Sequence, residues 1–303
     1  MINKEIEIKE IAEVIKKNYL LIFIFTVSFG VISILYVLNL PNIYSSTIKL
    51  MPNSGNRVGG ITNMSSQLGG LASLAGINLG GGSDDKTTYA LEVLKSRKFL
   101  YNFIEVNALK PLIMGAVNWD ASTNKVVFDP KIYDHKNNIW TRNVDFPFKP
   151  EPSLNEVYLA FLEHHLSVIR DKETGVILVS IKYFSPNIAQ KIVSELIVSL
   201  NKTIKKEEKD AALKSIEYLE QQIHKTELAE MRTMFYELIE TQHKELMLVA
   251  SRDEFVVKVI DYAIVPELKT SPKRAIIVIM ITSLGFILIV GFILIRHFFR
   301  EQP

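Results

Sequence analysis

The side chains that could do chemistry lie in three places. Lys110 to Pro152 carries Trp119 and Trp140 among several Asn and Asp residues, a composition that fits a sugar-binding cleft and is explained as well by ordinary core aromatics. His164 and His165 are adjacent, and neighbours on a helix do not face the same way, so the pair reads as surface rather than as metal ligands. Asn53 to Ser83 is rich in Gly, with Gly59-Gly60, Gly69-Gly70 and Gly80-Gly81-Gly82. A phosphate-binding loop would need Gly-Lys-Ser/Thr leading from a strand into a helix, and no Lys stands there. Its apolar interior, Leu68 to Leu79, suggests a semi-buried flexible segment. A glycosidase needs two carboxylates about 5–10 Å apart in a cleft, and no recognisable pair stands out. Neither Gly-x-Ser-x-Gly nor His-Glu-x-x-His occurs, so the expectation is a protein without catalytic, cofactor or metal residues.

What must position the rest is a pair of apolar runs, Leu20–Leu40 and Ala275–Ile295. Each is about 21 residues long, against the ~20 that cross a bilayer as a helix. Neither contains Asp, Glu, Lys, Arg or His, any of which costs a few kcal/mol at mid-membrane. Both are read as transmembrane helices, the first as an uncleaved anchor because no small-x-small site follows it. Lys4, Lys9, Lys16 and Lys17 precede the first run, which sets the N-terminus on the cytoplasmic side. The flanks of the second run are ambiguous, and the first decides. The net charge of +2 gives no reason to expect nucleic acid, and the absence of Cys excludes disulfides and thiolate sites.

The expected organisation is a cytoplasmic amphipathic segment at 1–19, a span at 20–40, an external domain at 41–274, a second span at 275–295 and a cytoplasmic tail at 296–303. Within the domain, Tyr44–Met51 alternates as a strand with Tyr44, Ser46, Ile48 and Leu50 on one side. Asp84–Val106 reads as a helix, Lys125–Phe128 as a short strand and Leu154–Leu166 as a short helix. Val168–Arg170 and Gly175–Tyr183 read as a hairpin, with Ile177, Val179, Ile181 and Tyr183 facing one way. From Asn187 a helix is expected to run to about Leu248; no Gly or Pro interrupts it. Phe255–Val265 is a last strand, and Pro266 to Arg274 an extended, stiff approach to the second span.

This layout resembles the polysaccharide co-polymerase family, the chain-length determinant (Wzz-type) proteins of bacterial O-antigen, capsule and exopolysaccharide assembly. The two-span topology carries the match together with two segments. One is Val259–Pro266 followed by Ser271-Pro272-Lys273-Arg274, similar to the family's Pro-rich signature and leading into a span with Gly285 and Gly291. The other is Gly69–Gly76 followed by Leu91–Arg97, which looks like the Gly-rich and Leu-Lys-Ser-Arg region of the exopolysaccharide branch. An additional Pro usual in the signature is missing between Pro266 and Pro272. No Walker loop or terminal tyrosine cluster appears, so a fused tyrosine kinase is not expected.

The resemblance implies an α+β fold: two transmembrane helices flanking a periplasmic domain with a membrane-proximal mixed sheet and a long protruding helix. It implies a homo-oligomeric ring in the inner membrane that is not an enzyme. The ring would regulate polysaccharide chain length with a membrane polymerase, and could engage outer-membrane export machinery or a separate cytoplasmic tyrosine kinase. Pro266, Ser271, Pro272, Lys273, Gly285 and Gly291 would serve partner or oligomer contacts. An export adaptor without control of polymerisation shares the topology.

Overall fold

In a computed structural model, which describes residues 8–53 and 83–300, the chain forms two units: the chain ends up to Ile43 and from Lys269, and Tyr44–Leu268. The Gly-rich stretch falls almost wholly outside the described residues.

In the first unit, helix α1 spans Ile8–Lys17 and α2 Tyr19–Leu38. The last helix, α9, spans Arg274–Arg300 and lies antiparallel to α2. Val14 and Ile22 pack with Ile289 and Ile293, Gly30 faces Thr282, and Arg274 Nη2 donates to the Leu40 carbonyl at 3.1 Å. Both helices are long and apolar enough to cross a membrane, and only 17% of either apolar window is buried. A core helix of a soluble protein would be buried over most of its surface. Here Phe23, Ile24, Ile32, Ile279 and Ile287 are all exposed, which suits a lipid solvent.

The second unit is α+β. Its sheet has the order β6-β7-β1-β8, with β1 at Tyr44–Pro52, β6 at Leu166–Arg170, β7 at Ile177–Tyr183 and β8 at Val257–Asp261. Every pairing is antiparallel, so the expected mixed sheet is corrected: periodicity assigns faces but not strand direction. The faces are as read. Ser46, Ile48 and Leu50 of β1 and Ile177, Val179, Ile181 and Tyr183 of β7 are buried. The β6–β7 turn closes on Gly175, whose φ of +71° favours a residue without a Cβ.

The segment read as one helix over Asp84–Val106 is two, α3 at Ser83–Lys95 and α4 at Arg97–Val106. Ser96 breaks it by adopting an extended backbone and accepting from the Phe99 amide, an N-cap in the middle of the run. A short α5 at Lys110–Met114 leads to two hairpins, β2–β3 (Ala116–Asp120, Lys125–Phe128) and β4–β5 (Tyr133–Asp134, Ile139–Trp140). Helix α6 at Leu154–Ala160 begins in a capping box made by Ser153 and Glu156 and ends in a π-helical turn, Phe161–His165.

The long helix is present as α7, Pro186–Lys225, about 60 Å at 1.5 Å per residue. It does not continue to Leu248. Thr226 and Leu228 are extended, and α8, Ala229–Ser251, doubles back along it. The reversal buries Leu219 against Leu238, with Phe235 and Ile239 packed alongside, a contact that one straight rod would leave in water. The first half of α7 covers the sheet through Ala189, Ile192, Val193, Leu196, Ile197 and Leu200.

Candidate functional site

The residues expected to make partner contacts fall in both units. Pro266 lies in the second, after a run fastened to the sheet: Ser46 Oγ donates to the Ile264 carbonyl at 2.7 Å, and Gln190 Nε2 to that of Ala263 at 3.2 Å. At these backbone tethers the side chains of Tyr262 and Ile264 are exposed. Ser271, Pro272, Lys273, Gly285 and Gly291 belong to the first unit.

At the base of the helix pair, Ser271 and Ile43 form an antiparallel bridge, with Ile43 N donating to Ser271 O at 2.9 Å. Asn42 Oδ1 accepts from Lys269 Nζ at 3.2 Å and from Arg274 Nη2 at 3.1 Å. The two ends of the pair are thus clasped by backbone and by charge-assisted bonds. Pro272 supplies no donor, and its carbonyl accepts from Arg274 N at 3.0 Å, the first turn of α9. Lys273 is exposed beside it.

Gly285 and Gly291 have different surroundings. A Cβ on Gly285 would stand 2.6–2.8 Å from Phe29 Cβ, Cγ and Cδ1. That glycine is where α9 meets α2 of the same chain, the role of small residues between membrane helices. A Cβ on Gly291 would meet nothing within 4 Å, so this position leaves a surface notch. Sequence spacing does not distinguish a glycine packed within the chain from one facing outward.

In the second unit, Asn201 anchors α7. Its side chain is buried, its Nδ2 donates to the Val257 carbonyl at 3.2 Å, and its Oδ1 accepts from the Val256 and Val257 amides at 3.1 and 3.4 Å. Lys205, one turn on, donates to the carbonyls of Ala250 at 3.4 Å and Arg252 at 3.0 Å, closing the end of α8. In the sequence Asn201 is marked only as a lone amide beside the apolar edge of Ile192, Leu196, Leu200 and Ile204.

Charged groups tie α3 and α4 to the helix pair. Lys86 of α3 reaches Glu245 of α8 at 3.1 Å and Glu208 of α7 at 3.6 Å. Burial opposes its charge, and the two carboxylates outweigh that to raise its pKa. Glu207 accepts from Lys98 Nζ at 2.8 Å and Tyr89 Oη at 3.0 Å, and Lys98 holds its carboxyl below the usual range. Arg142 and Glu156 form a largely buried pair at 2.8 Å. Arg142 lowers the Glu156 pKa and also donates to the Pro150 and Lys149 carbonyls at 2.7 and 2.6 Å. This clamp fixes the loop on which Phe146 stands almost wholly in solvent.

His164 is exposed. His165 packs between Phe161 and Tyr183, and its Nδ1 donates to the Lys182 carbonyl at 2.8 Å. Burial pushes its pKa down, which favours the neutral ring. Among the described residues no three metal-ligand side chains converge.

Residues 4–106 match the family model for chain length determinant protein, Wzz. Residues 224–298 match the model described as "G-rich domain on putative tyrosine kinase". The Gly-rich and Leu-Lys-Ser-Arg segments lie in the first match, and the Pro-rich signature in the second. No curated protein matches. A solved structure described as a full-length bacterial polysaccharide co-polymerase aligns at 13% identity and TM-score 0.42, covering 98% of this chain and 99% of that one. A fragment of WzzB, a polysaccharide co-polymerase from Salmonella Typhimurium, aligns at 13% identity and TM-score 0.31, covering 76% of this chain and all of the fragment.

Proposed function

We propose, from the premise that this is a chain of the Wzz type with its chain length determinant match at residues 4–106, that it regulates the length of a bacterial surface polysaccharide without catalysing a reaction. In this reading α2 and α9 cross the inner membrane, Tyr44–Leu268 lies in the periplasm and both termini are cytoplasmic. Several copies associate in a ring and act together with the membrane polymerase.

The observation that carries the reading is the antiparallel apolar pair α2/α9, clasped at Asn42, Ser271 and Arg274. An antiparallel pair would return the chain to the side from which it entered, with Tyr44–Leu268 the stretch of sequence between its two members. Surfaces for self-association are at hand: Leu213, Tyr218, Tyr236 and Met247 are exposed along α7 and α8. Beyond Pro266 the signature positions Ser271, Pro272 and Lys273 shape the clasp, and Gly291 offers a notch for a neighbouring helix. The bias on length is geometric: a repeated surface holds the polymerase or the growing chain.

Deleting the gene and resolving surface glycan by size tests this. An altered length distribution, restored by the intact gene, supports control of polymerisation. Loss of surface glycan at unchanged length would instead make the chain an export adaptor.

A further inference from the structure

We propose that a cleft between the end of α4, the start of α5 and the β4–β5 hairpin binds one neutral pyranose unit of a glycan. The class of ligand rests on the reading of the chain as a glycan-length regulator; the site rests on its geometry. The cleft measures about 370 Å³, at the small end of the ~300–1,000 Å³ of ligand sites. Its lining includes Trp140, Tyr133, Asn138, Glu105 and Lys110.

The floor is rigid. Tyr133 is 5% exposed and packs against Trp140 at 4.8 Å and Phe128 at 5.6 Å between ring centroids. Gly115 backs it so closely that a Cβ there would stand 2.9 Å from Tyr133 Cβ. Trp140 is half-buried and lines the cleft. A pyranose has an apolar C–H face that an indole accepts and a rim of hydroxyls that needs polar partners.

Asn138 supplies such a partner. Tyr133 Oη donates to its Oδ1 at 2.9 Å, which fixes the amide and leaves its NH₂ as the unused donor pair. Two of the three described non-glycine residues with positive φ, Ala108 at 48° and Asn138 at 54°, line this one cleft. A left-handed backbone is costly for Ala, and such residues concentrate at binding sites. The charges present are one of each sign, Glu105 and Lys110, and Lys110 is paired with Glu151 at 3.0 Å. That balance favours a neutral sugar over an acidic one.

The test uses the full chain in nanodiscs on an array of immobilised oligosaccharides built from neutral hexoses, deoxyhexoses and N-acetylhexosamines. Wild type binds at least one of them. W140A binds about tenfold or more weakly, the loss of a stacking platform. N138D keeps the Tyr133 bond, removes both amide donors and weakens binding several-fold. W119F, which alters the other tryptophan, leaves binding unchanged. W140F, which replaces the indole with a smaller ring, is read should W140A fail to fold, and weakens binding several-fold. Absence of wild-type binding across the array, or binding undiminished in N138D and in W140A (W140F where W140A does not fold), would overturn the proposal. Trp140-dependent binding in a chain whose deletion leaves glycan length unchanged would uphold the subsite and refute the length-control reading. Altered length on deletion without any binding would do the reverse.

Discussion

Helices α2 with α9 and α7 with α8 are both antiparallel pairs, yet they present opposite surfaces. The first turns Phe, Ile and Leu outward and brings its backbones together at Gly285. The second turns Lys214, Glu217, Glu220, Glu237, Glu240 and Lys244 outward and holds together over few buried side chains. In water the apolar contact between α7 and α8 is itself the driving force, so Leu219 and Leu238 carry much of it. In lipid the tails are as apolar as Leu, and association depends on close fit instead. Each pair should therefore fail by a different kind of substitution.

The largest effect is expected from Leu219→Asp, which puts an unpaired charge where the side chain is 1% exposed. A cost of about 3–5 kcal/mol, confined to the tip of the pair, follows from such a burial. Hydrogen exchange should show α8 losing protection while β7 keeps its own; equal loss in both would mean the tip is not a separate cooperative element.

Asn201→Ala tests the root of the same pair. Two amides and a carbonyl lose their partner, at about 2–3 kcal/mol, and thermal unfolding of the whole second unit should shift downward. An unchanged midpoint would show that the bonds at Val256 and Val257 contribute little.

Gly285→Ala probes the apolar pair α2/α9. The added methyl meets Phe29 Cβ as well as its ring, so overpacking should cost about 1–3 kcal/mol. Phe29→Ala in the same chain removes the ring contacts and keeps the Cβ contact, so it should recover part of the loss, and Gly291→Ala should cost nothing within the chain. A Gly285→Ala defect that neither Phe29→Ala nor Phe29→Gly relieves at all would place the glycine's partner elsewhere.

Acid sharpens the comparison further, because the groups concerned lie only in the second unit. Glu156 and Glu207 have folded pKa values held below the ordinary carboxylate value by Arg142 and Lys98. Their contribution is present above the unfolded value of about 4.3 and fades as pH falls through the lower folded values. Glu156→Gln should flatten that loss in an acid titration followed by near-ultraviolet dichroism. The smallest effect, under ~1 kcal/mol, is expected from Lys86→Ala, whose ion pairs are partly exposed; a double-mutant cycle with Glu245→Ala measures it.

Much of this was legible in the residues. Two-residue alternation placed the buried faces of β1 and β7, and length with absence of charge singled out α2 and α9. The hairpin of Val168–Arg170 with Gly175–Tyr183 and the start of the long helix near Asn187 were also readable from local residues. The two helix breaks were not. Ser96 is tolerated inside a helix and shows its capping role only in its extended backbone, and Thr226–Leu228 contains no Gly or Pro. There the reversal is decided by a contact between residues nearly twenty positions apart, which no local propensity encodes. The site residues fared similarly: the residue types at 266–273 read as an extended approach to the second apolar run, but the partners found in the structure, Asn42 for Lys269 and Arg274 and Phe29 for Gly285, are set by pairing across the whole chain.

The central claim is that α2 and α9 cross one bilayer and leave Tyr44–Leu268 on its outer side. The chain has no cysteine, so a single introduced thiol reports its own location. Ser251→Cys and Arg296→Cys should be compared in intact spheroplasts with a membrane-impermeant maleimide. The account predicts rapid labelling at position 251 and labelling at 296 only after lysis. Equal labelling of both in intact spheroplasts, or protection of position 251, would contradict it.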